Sequence, residues 1–575
     1  MDRSVVYSSL VVLLWALLSG CGQTGPSLDE SSASSAAQDP ETDWFVEVQA
    51  SVGLDFEHVH GGSGERFLIE SMGGGGGFLD FDGDGWLDIY FVQSGPLPGY
   101  PDPTPLPNQL FRNRGDGTFE DVTEASGAGD TGYGNGNCFG DIDNDGSVDI
   151  FVTNFGPDVM LVNRGDGTFE DVTLQSGIRS PGWSSSCAFA DYDRDGWLDL
   201  YVVYYLDFTL RTHRRCGSRD IPLYCHPDIY PGAPDRLFRN RGDGTFEDVS
   251  KAAGIQVLDP RESKGLGVVW TDTDNDGWID LYVANDSTRN FLFRNRGDGT
   301  FDEIGTVSGT AFNEAGLTEA GMGIAVGDAD GDGLQDLFVC HLDFETNTLY
   351  RNLGRNLFLD ATATAGLGGP SLPYVCFGNE FLDLDLDGDL DLFAANGHIL
   401  DNVAQHRPGS MYPQPNQLFR NRGTGRFDDV SNAAGEHFQQ AHVSRGTAAG
   451  DFDNDGDLDL LVLNCGEPPV LLRNDFGVSD AGAAGHWLQL RLLSRHGGRD
   501  AIGAQVRLVA GDLVRVAEVR AGSSYQSQGD TRLHFGLGTQ NQIDRLEIRW
   551  PEGETEVIPG ESLRVDRLEV LRQPE

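Results

Sequence analysis

A nine-residue pattern, Asp-x-Asp-x-Asp-Gly-x-x-Asp or a close equivalent, occurs seven times in this 575-residue chain, and no other feature restricts its folding as strongly. The copies begin at Asp80, Asp141, Asp191, Asp272, Asp328, Asp383 and Asp451, spaced by 61, 50, 81, 56, 55 and 68 residues. A core unit of about 50 residues with variable insertions predicts a repeat architecture. Two further series run in register with it. A Phe-x-x-Val-like pattern starts at Phe45, Phe119, Phe169, Phe246, Phe301, Phe358 and Phe427, and a Leu-Phe-Arg-Asn-like pattern ends at Asn113, Asn163, Asn240, Asn295, Asn352, Asn421 and Asn474. Three series of seven in one cyclic order leave chance no weight.

The period within each unit is that of strands. Runs such as Leu87 to Val92 and Leu198 to Val203 follow the acidic loops and are rich in β-branched and aromatic residues. Six units carry a Gly five residues ahead of the first Asp (Gly75, Gly136, Gly267, Gly323, Gly378, Gly446), with Ser186 as the exception, as expected where innermost strands crowd an axis. Asp-Gly within the Asn-Arg-Gly-Asp-Gly-Thr-Phe segments marks hairpin turns, so Asp116, Asp166, Asp243 and Asp298 read as turn residues rather than ligands. The fold class is therefore all-β: a seven-bladed β-propeller over 44–484, followed by a β-sandwich-like domain over 485–575, where alternating runs such as Trp487 to Leu492 signal half-buried strands.

Side chains at loop positions 1, 3 and 5 converge only if the chain turns sharply. Gly at position 6 (Gly85, Gly146, Gly196, Gly277, Gly333, Gly388, Gly456) permits that turn. The candidate ligands are Asp80, Asp82, Asp84 and Asp88; Asp141, Asp143, Asp145 and Asp149; Asp191, Asp193, Asp195 and Asp199; Asp272, Asp274, Asp276 and Asp280; Asp328, Asp330, Asp332 and Asp336; Asp383, Asp385, Asp387 and Asp391; and Asp451, Asp453, Asp455 and Asp459. Position 9 stands where it would close the site. Oxygen-only, mostly anionic ligand sets suit a hard cation and fit Ca²⁺, up to seven ions, better than zinc or copper. Two carboxylates about 4 Å apart repel by about 4 kcal/mol at an effective dielectric of 20, so four converging need a cation. The missing twelfth-position Glu and flanking helices separate these loops from EF-hands.

Charge supports the same reading. The formal net charge is −50, of which residues 44–484 hold −44, residues 22–43 hold −5 and residues 485–575 hold −1. A compact body with that surplus repels itself unless something cationic is bound. Such a field also excludes a nucleic-acid partner.

Gly77 to Asp88 (Gly-Phe-Leu-Asp-Phe-Asp-Gly-Asp-Gly-Trp-Leu-Asp) resembles the FG-GAP/VCBS repeat family, whose propellers carry calcium loops of this type. Arg499 to Ala504, His534 to Gly538 and Arg549 to Gly553 resemble the ASPIC/UnbV domain. The two together are similar to the cartilage acidic protein family, with bacterial members, and the resemblance implies a calcium-binding extracellular protein without supplying a substrate.

Residues 1–21 read as a signal peptide whose Leu18-Ser19-Gly20-Cys21 resembles a bacterial lipobox, with Cys21 the lipidated residue and 22–43 a flexible tether. The expected location is the cell envelope, through a lipid anchor at the outer membrane, facing the periplasm or the surface. Cys216 and Cys225, beside His213 and His226 in a blade-three insertion, read as a disulfide ahead of a Cys2His2 metal site; Cys138 and Cys187 read as buried small hydrophobes. Seven cysteines remain besides Cys21, so at least one is expected to be unpaired. The expected function is a non-enzymatic binding, adhesion or interaction scaffold for a protein or glycan ligand. The alternative is a polysaccharide-acting lyase or hydrolase using His58, His60, His226, His341 or His398, although each lone His reads as structural or surface ahead of catalytic.

Overall fold

The computed structural model describes residues 43–256, 259–476 and 485–575. Cys21 and the signal and tether segments lie outside these described residues. Seven four-stranded antiparallel units form the blades of a propeller. Blade two shows the plan: Gly134–Gly140 innermost, then Asp149–Asn154, Val159–Asn163 and Phe169–Asp171 outermost. Each Asp-rich loop joins the innermost strand to the second. Position 9 opens that second strand, with Gly140 opposite Asp149.

The ring closes by exchange between the two ends of the repeat. Phe45–Glu47 supplies the outermost strand of blade seven, pairing with Val470–Asn474. Neighbouring blades pack face to face through apolar side chains. Leu79, Phe81, Tyr90 and Leu110 of blade one meet Phe139, Ile150 and Phe169 of blade two. Each fully buried aromatic or aliphatic side chain of this kind contributes about 1.5–3 kcal/mol.

The third sequence series has a definite job at these seams. The Asn113 side-chain amide donates to the Leu87 carbonyl of its own blade and to the Phe452 carbonyl of blade seven. Asn163 reaches Phe81, Asn240 reaches Ile142, Asn295 reaches Tyr192, Asn352 reaches Thr273, Asn421 reaches Ala329 and Asn474 reaches Leu384. Every acceptor is position 2 of the preceding blade's acidic loop. Seven equivalent clasps thus tie each blade to the loop before it.

The C-terminal segment forms two sheets. His486–Leu493 lies between Leu533–Gly538 and Leu568–Arg572, and Gln505–Ala510 lies in a four-stranded sheet with Leu513–Glu518, Arg545–Arg549 and Thr555–Pro559. Their facing sides bury Leu488, Leu490, Val506, Leu508, Phe535, Ile548 and Trp550 in one core.

Residues 520–530 leave these sheets and thread the propeller's axis. Ser527–Gln528 pairs in parallel with Gly76–Gly77 of blade one. Ser524 and Ile324 exchange both backbone hydrogen bonds, Phe189 donates to Ala521, Asn137 donates to Gln526, Asn379 donates to the Ser524 hydroxyl and Asp530 donates to Ala449. Six of the seven blades are held in this way. A Cβ at Gly446 would stand 2.1 Å from the Ser527 hydroxyl, and one at Gly323 would stand 2.2 Å from the Phe377 carbonyl. Glycine on the innermost strands is therefore a requirement of close backbone approach, and Ser186, the exception, donates to the Leu266 carbonyl at 2.5 Å.

Candidate metal centres

The seven loops share one hydrogen-bond scheme. At position 1 the Oδ2 atom accepts from the position-6 glycine N–H, at 3.2 Å in Asp80, 2.8 Å in Asp141, 2.9 Å in Asp191, Asp272 and Asp328, 2.8 Å in Asp383 and 3.1 Å in Asp451. At position 5 the Oδ1 atom accepts from the position-7 N–H, as in Asp84 from Trp86 and Asp332 from Leu334. The turn works because the position-6 glycines hold φ near +90°, for example +91° at Gly146 and Gly196. These bonds hold the carboxylates in place and leave other oxygens free to face inward.

Oxygens from Asp80, Asp82 and Asp88 lie within 4.8 Å of one another, as do those of Asp141, Asp143 and Asp149, of Asp191, Asp193 and Asp199, and of Asp272, Asp274 and Asp276. Several of these atoms are buried without a hydrogen-bond partner: Oδ1 of Asp80, Asp82, Asp193, Asp272, Asp383, Asp385 and Asp453. A buried, unpartnered carboxylate oxygen costs free energy unless a cation meets it. The donor set therefore fits a hard divalent cation. Burial pushes the position-1 carboxyls up, Asp141 and Asp328 to about 6 and Asp191, Asp272 and Asp451 to about 7. A bound cation would reverse that shift by favouring the ionised form.

Position 9 has a structural role that its acidic spacing does not announce. Asp88 Oδ2 accepts from the Phe81 N–H at 3.1 Å and its Oδ1 from the Asn113 N–H at 2.8 Å. The same pair of backbone donors, position 2 and the clasp asparagine, recurs at Asp149, Asp199, Asp280, Asp336, Asp391 and Asp459. This residue is thus a knot between loop, second strand and third strand. Burial drives its carboxyl up, to about 9 in Asp88 and about 8 in Asp336.

The C-terminal domain rests on the loop face and touches three position-1 carboxylates and one position-7 carboxylate. Arg491 Nη1 stands 3.2 Å from Asp80 Oδ2, Gln489 donates to Asp451 Oδ2 at 2.9 Å, Arg549 pairs with Asp272, and Arg515 Nη2 reaches Asp389 at 2.5 Å. Nothing in the alternating pattern of the strands that carry these arginines points to such contacts. Asp116, Asp166, Asp243 and Asp298 stand apart, each accepting from the Thr N–H two residues on, which is turn chemistry.

Cys138 and Cys187 are buried, as expected of small hydrophobes, but the structure corrects that reading in bonding them to each other. They form a disulfide between the innermost strands of blades two and three, with Cα atoms 5.7 Å apart. The ring sets these two innermost strands side by side although the cysteines are 49 residues apart in sequence. Cys340 pairs with Cys376, Cys216 pairs with Cys225, and Cys465 is buried and free. The histidines singled out from the sequence do not assemble into one centre. His58 is buried between Ser94 and the Gly466 N–H, His341 bonds the Thr346 carbonyl, and His226 and His398 line one cavity on the face away from the loops.

These features define an acidic-loop β-propeller with a β-sandwich domain seated on its loop face and plugging its axis. Sequence comparison agrees: the FG-GAP-like repeat matches residues 80–152, 141–202, 226–283, 272–339, 328–394 and 383–462, and the ASPIC and UnbV family matches 494–575. The chain belongs to the FG-GAP-like repeat family. Cartilage acidic protein 1 of Xenopus tropicalis is 27% identical over 329 residues, which is 55% of this chain and 45% of that protein. Its Homo sapiens counterpart is 26% identical over 353 residues, 58% and 48% respectively. The chain spans about half the length of the curated relatives it matches. Among solved structures, a lectin from Agrocybe aegerita described as recognising non-reducing terminal N-acetylglucosamine is 16% identical, covering 70% of this chain and 94% of that one at a TM-score of 0.37. The V. cholerae biofilm matrix protein Bap1 is 11% identical, covering 66% and 59% at a TM-score of 0.27.

Proposed function

We propose that the chain is a calcium-loaded, non-enzymatic binding module of the cell envelope, tethered by a lipid on Cys21 and engaging a protein or glycan ligand. The observation that carries the calcium part is the set of buried, unpartnered carboxylate oxygens recurring in loops around the ring, those of Asp80, Asp272 and Asp383 belonging to carboxylates whose other oxygen accepts a glycine N–H. Asp80, Asp82, Asp84 and Asp88 and their counterparts in the other six loops are the ligands. The cation fixes the geometry of one blade and relieves repulsion among its own carboxylates. It also orders position 1, whose second oxygen meets the C-terminal domain in loops one, four and seven. Three disulfides fit an oxidising compartment.

Binding rather than catalysis is favoured because the acidic residues are spent evenly on structural loops. Metal analysis of the soluble body after dialysis against millimolar calcium tests the reading. Several equivalents are expected, and fewer than two would overturn it. Incubation with a panel of polysaccharides should release no new chain ends; a release that depends on one histidine would favour an enzyme instead.

A further inference from the structure

The propeller's second face carries a cavity of 490 Å³ at the mouth of its axis. That volume falls in the range of small-molecule sites, roughly 300–1,000 Å³. Its walls come from chain that follows the second strands of blades three to six: Tyr205, Asp286, Asp343 and His398. The Asp-rich loops precede those same strands, so the cavity and the metal loops lie at opposite ends of the blades. The plug reaches the cavity floor from beneath. Tyr525 donates to the Met72 carbonyl at 3.1 Å and packs edge to face on Phe377, and both Met72 and Phe377 line the cavity.

The polar groups form two carboxylate stations. Asp286 is buried and accepts from the Tyr205 and Ser287 hydroxyls. Asp343, with its side chain 7% exposed, pairs with Arg407 at 2.6 Å. His398 Nδ1 accepts the Leu400 N–H at 2.9 Å, which leaves the ring proton on Nε2. That Nε2 is buried, has no hydrogen-bond partner and stands 3.7 Å from Asp343 Oδ2, too far for a good bond. A buried donor and a buried acceptor therefore face each other across a gap that neither closes. A ligand hydroxyl fits such a gap, accepting from His398 and donating to Asp343.

The backbone adds an independent sign. Both carboxylates are followed by a non-glycine residue at positive φ, Ser287 at +58° and Phe344 at +69°. Such conformations cost energy and cluster at ligand sites. Phe344 is 67% exposed, and Arg407 lies over its ring at 5.2 Å. Phe344 thus stands next to Asp343, its ring against Arg407, which lines the cavity. The remaining wall is apolar, formed by residues such as Leu266, Met322 and Ile399.

We propose that this cavity binds a neutral sugar ring carrying adjacent hydroxyls. A pyranose has a polar edge of hydroxyls and an apolar C–H face, which matches one wall of carboxylates and His398 and another of aliphatic and aromatic side chains. Asp286 and Asp343 line the cavity with Arg407 paired to Asp343, while the nearby Lys264 is paired with Asp228, so the surplus of negative charge disfavours anionic sugars by like-charge repulsion. The proposal rests on the reading of the chain as a binding module and names the ligand class and the site within it.

The test uses the calcium-loaded soluble body, titrated calorimetrically with methyl pyranosides of glucose, galactose, mannose, fucose and N-acetylglucosamine, and with methyl glucuronide as an anionic arm. At least one neutral pyranoside should bind and the glucuronide should not. Asp343→Asn and Phe344→Gly should each weaken that binding by roughly tenfold or more, about the worth of one charge-assisted hydrogen bond. Phe344→Gly suits the positive φ, so it removes the ring without loss of fold. Glu170→Gln, on the outer strand of blade two, should bind as the parent does. No binding of any neutral pyranoside, preference for the glucuronide, or unchanged affinity in both cavity variants at unchanged melting temperature would overturn the proposal. None of these outcomes alters the calcium stoichiometry, so the binding-module reading fails or stands separately.

Discussion

Replacing Asn240 by alanine tests whether the inter-blade clasp holds the ring together. The side chain is 2% exposed and makes three hydrogen bonds: its amide donates to the Ile142 carbonyl at 2.8 Å and the Leu198 carbonyl at 3.1 Å, and its Oδ1 accepts from the Gly242 N–H at 3.0 Å. Alanine would strand two carbonyls between residues 4% and 0% exposed. At about 1–3 kcal/mol for each unsatisfied buried group, the loss should be about 4 kcal/mol. The Gly242 N–H is nearer solvent and adds little. Equilibrium urea unfolding at fixed calcium reads this out, with the exposed Asn432→Ala as a control expected to cost less than about 0.5 kcal/mol. Asn240→Asp sharpens the test. It keeps the acceptor for Gly242 but turns an oxygen toward both carbonyls, so it should destabilise more than alanine does. A loss under about 1 kcal/mol for Asn240→Ala, or an aspartate variant more stable than the alanine one, would refute the view that donation across the seam is what matters.

Three further outcomes are expected, from the loops, the lipobox reading and one buried histidine. Asp193→Ala and Asp330→Ala, in different blades, should each lower the melting temperature in calcium by a similar amount and narrow the gap between calcium and chelator, since one independent site at 100 times its dissociation constant is worth about 2.7 kcal/mol. Cys21→Ser should move the protein from the membrane fraction to the soluble one with its melting temperature intact; unchanged fractionation would reject the lipid anchor. His58 is held neutral because burial pushes it down to about 3, with Nδ1 already accepting the Gly466 N–H. Below its unfolded value near 6.5 the unfolded chain takes up a proton that the folded chain refuses, so stability falls with pH by about 1.4 kcal/mol per unit between those values. Relative to His58→Gln, the parent should lose about 2 kcal/mol more between pH 7.5 and pH 5, and parallel pH profiles would contradict this.

Sequence alone was enough for the all-β class, the seven blades and the acidic loops, because each is a local pattern repeated seven times. The Asp spacing dictates converging carboxylates, position-6 glycine dictates the turn, and a glycine five residues upstream marks the crowded axis. Other features depend on which distant segments meet. Cys138 and Cys187 pair because the ring sets the innermost strands of blades two and three side by side, a relation invisible across 49 residues. The asparagine series was legible as a series, yet its meaning required the neighbouring blade to supply the acceptor. The segment Arg520 to Asp530 reads as an ordinary polar loop, and only the ring around it turns its backbone into a plug bonded to six blades. His398 and Asp343 lie 55 residues apart in different blades, and only the closed ring sets them 3.7 Å from each other. Local patterning fixes what a repeat becomes, since strand period and turn chemistry act over a few residues. Pairing across blades is set by closure of the ring, which no single repeat encodes.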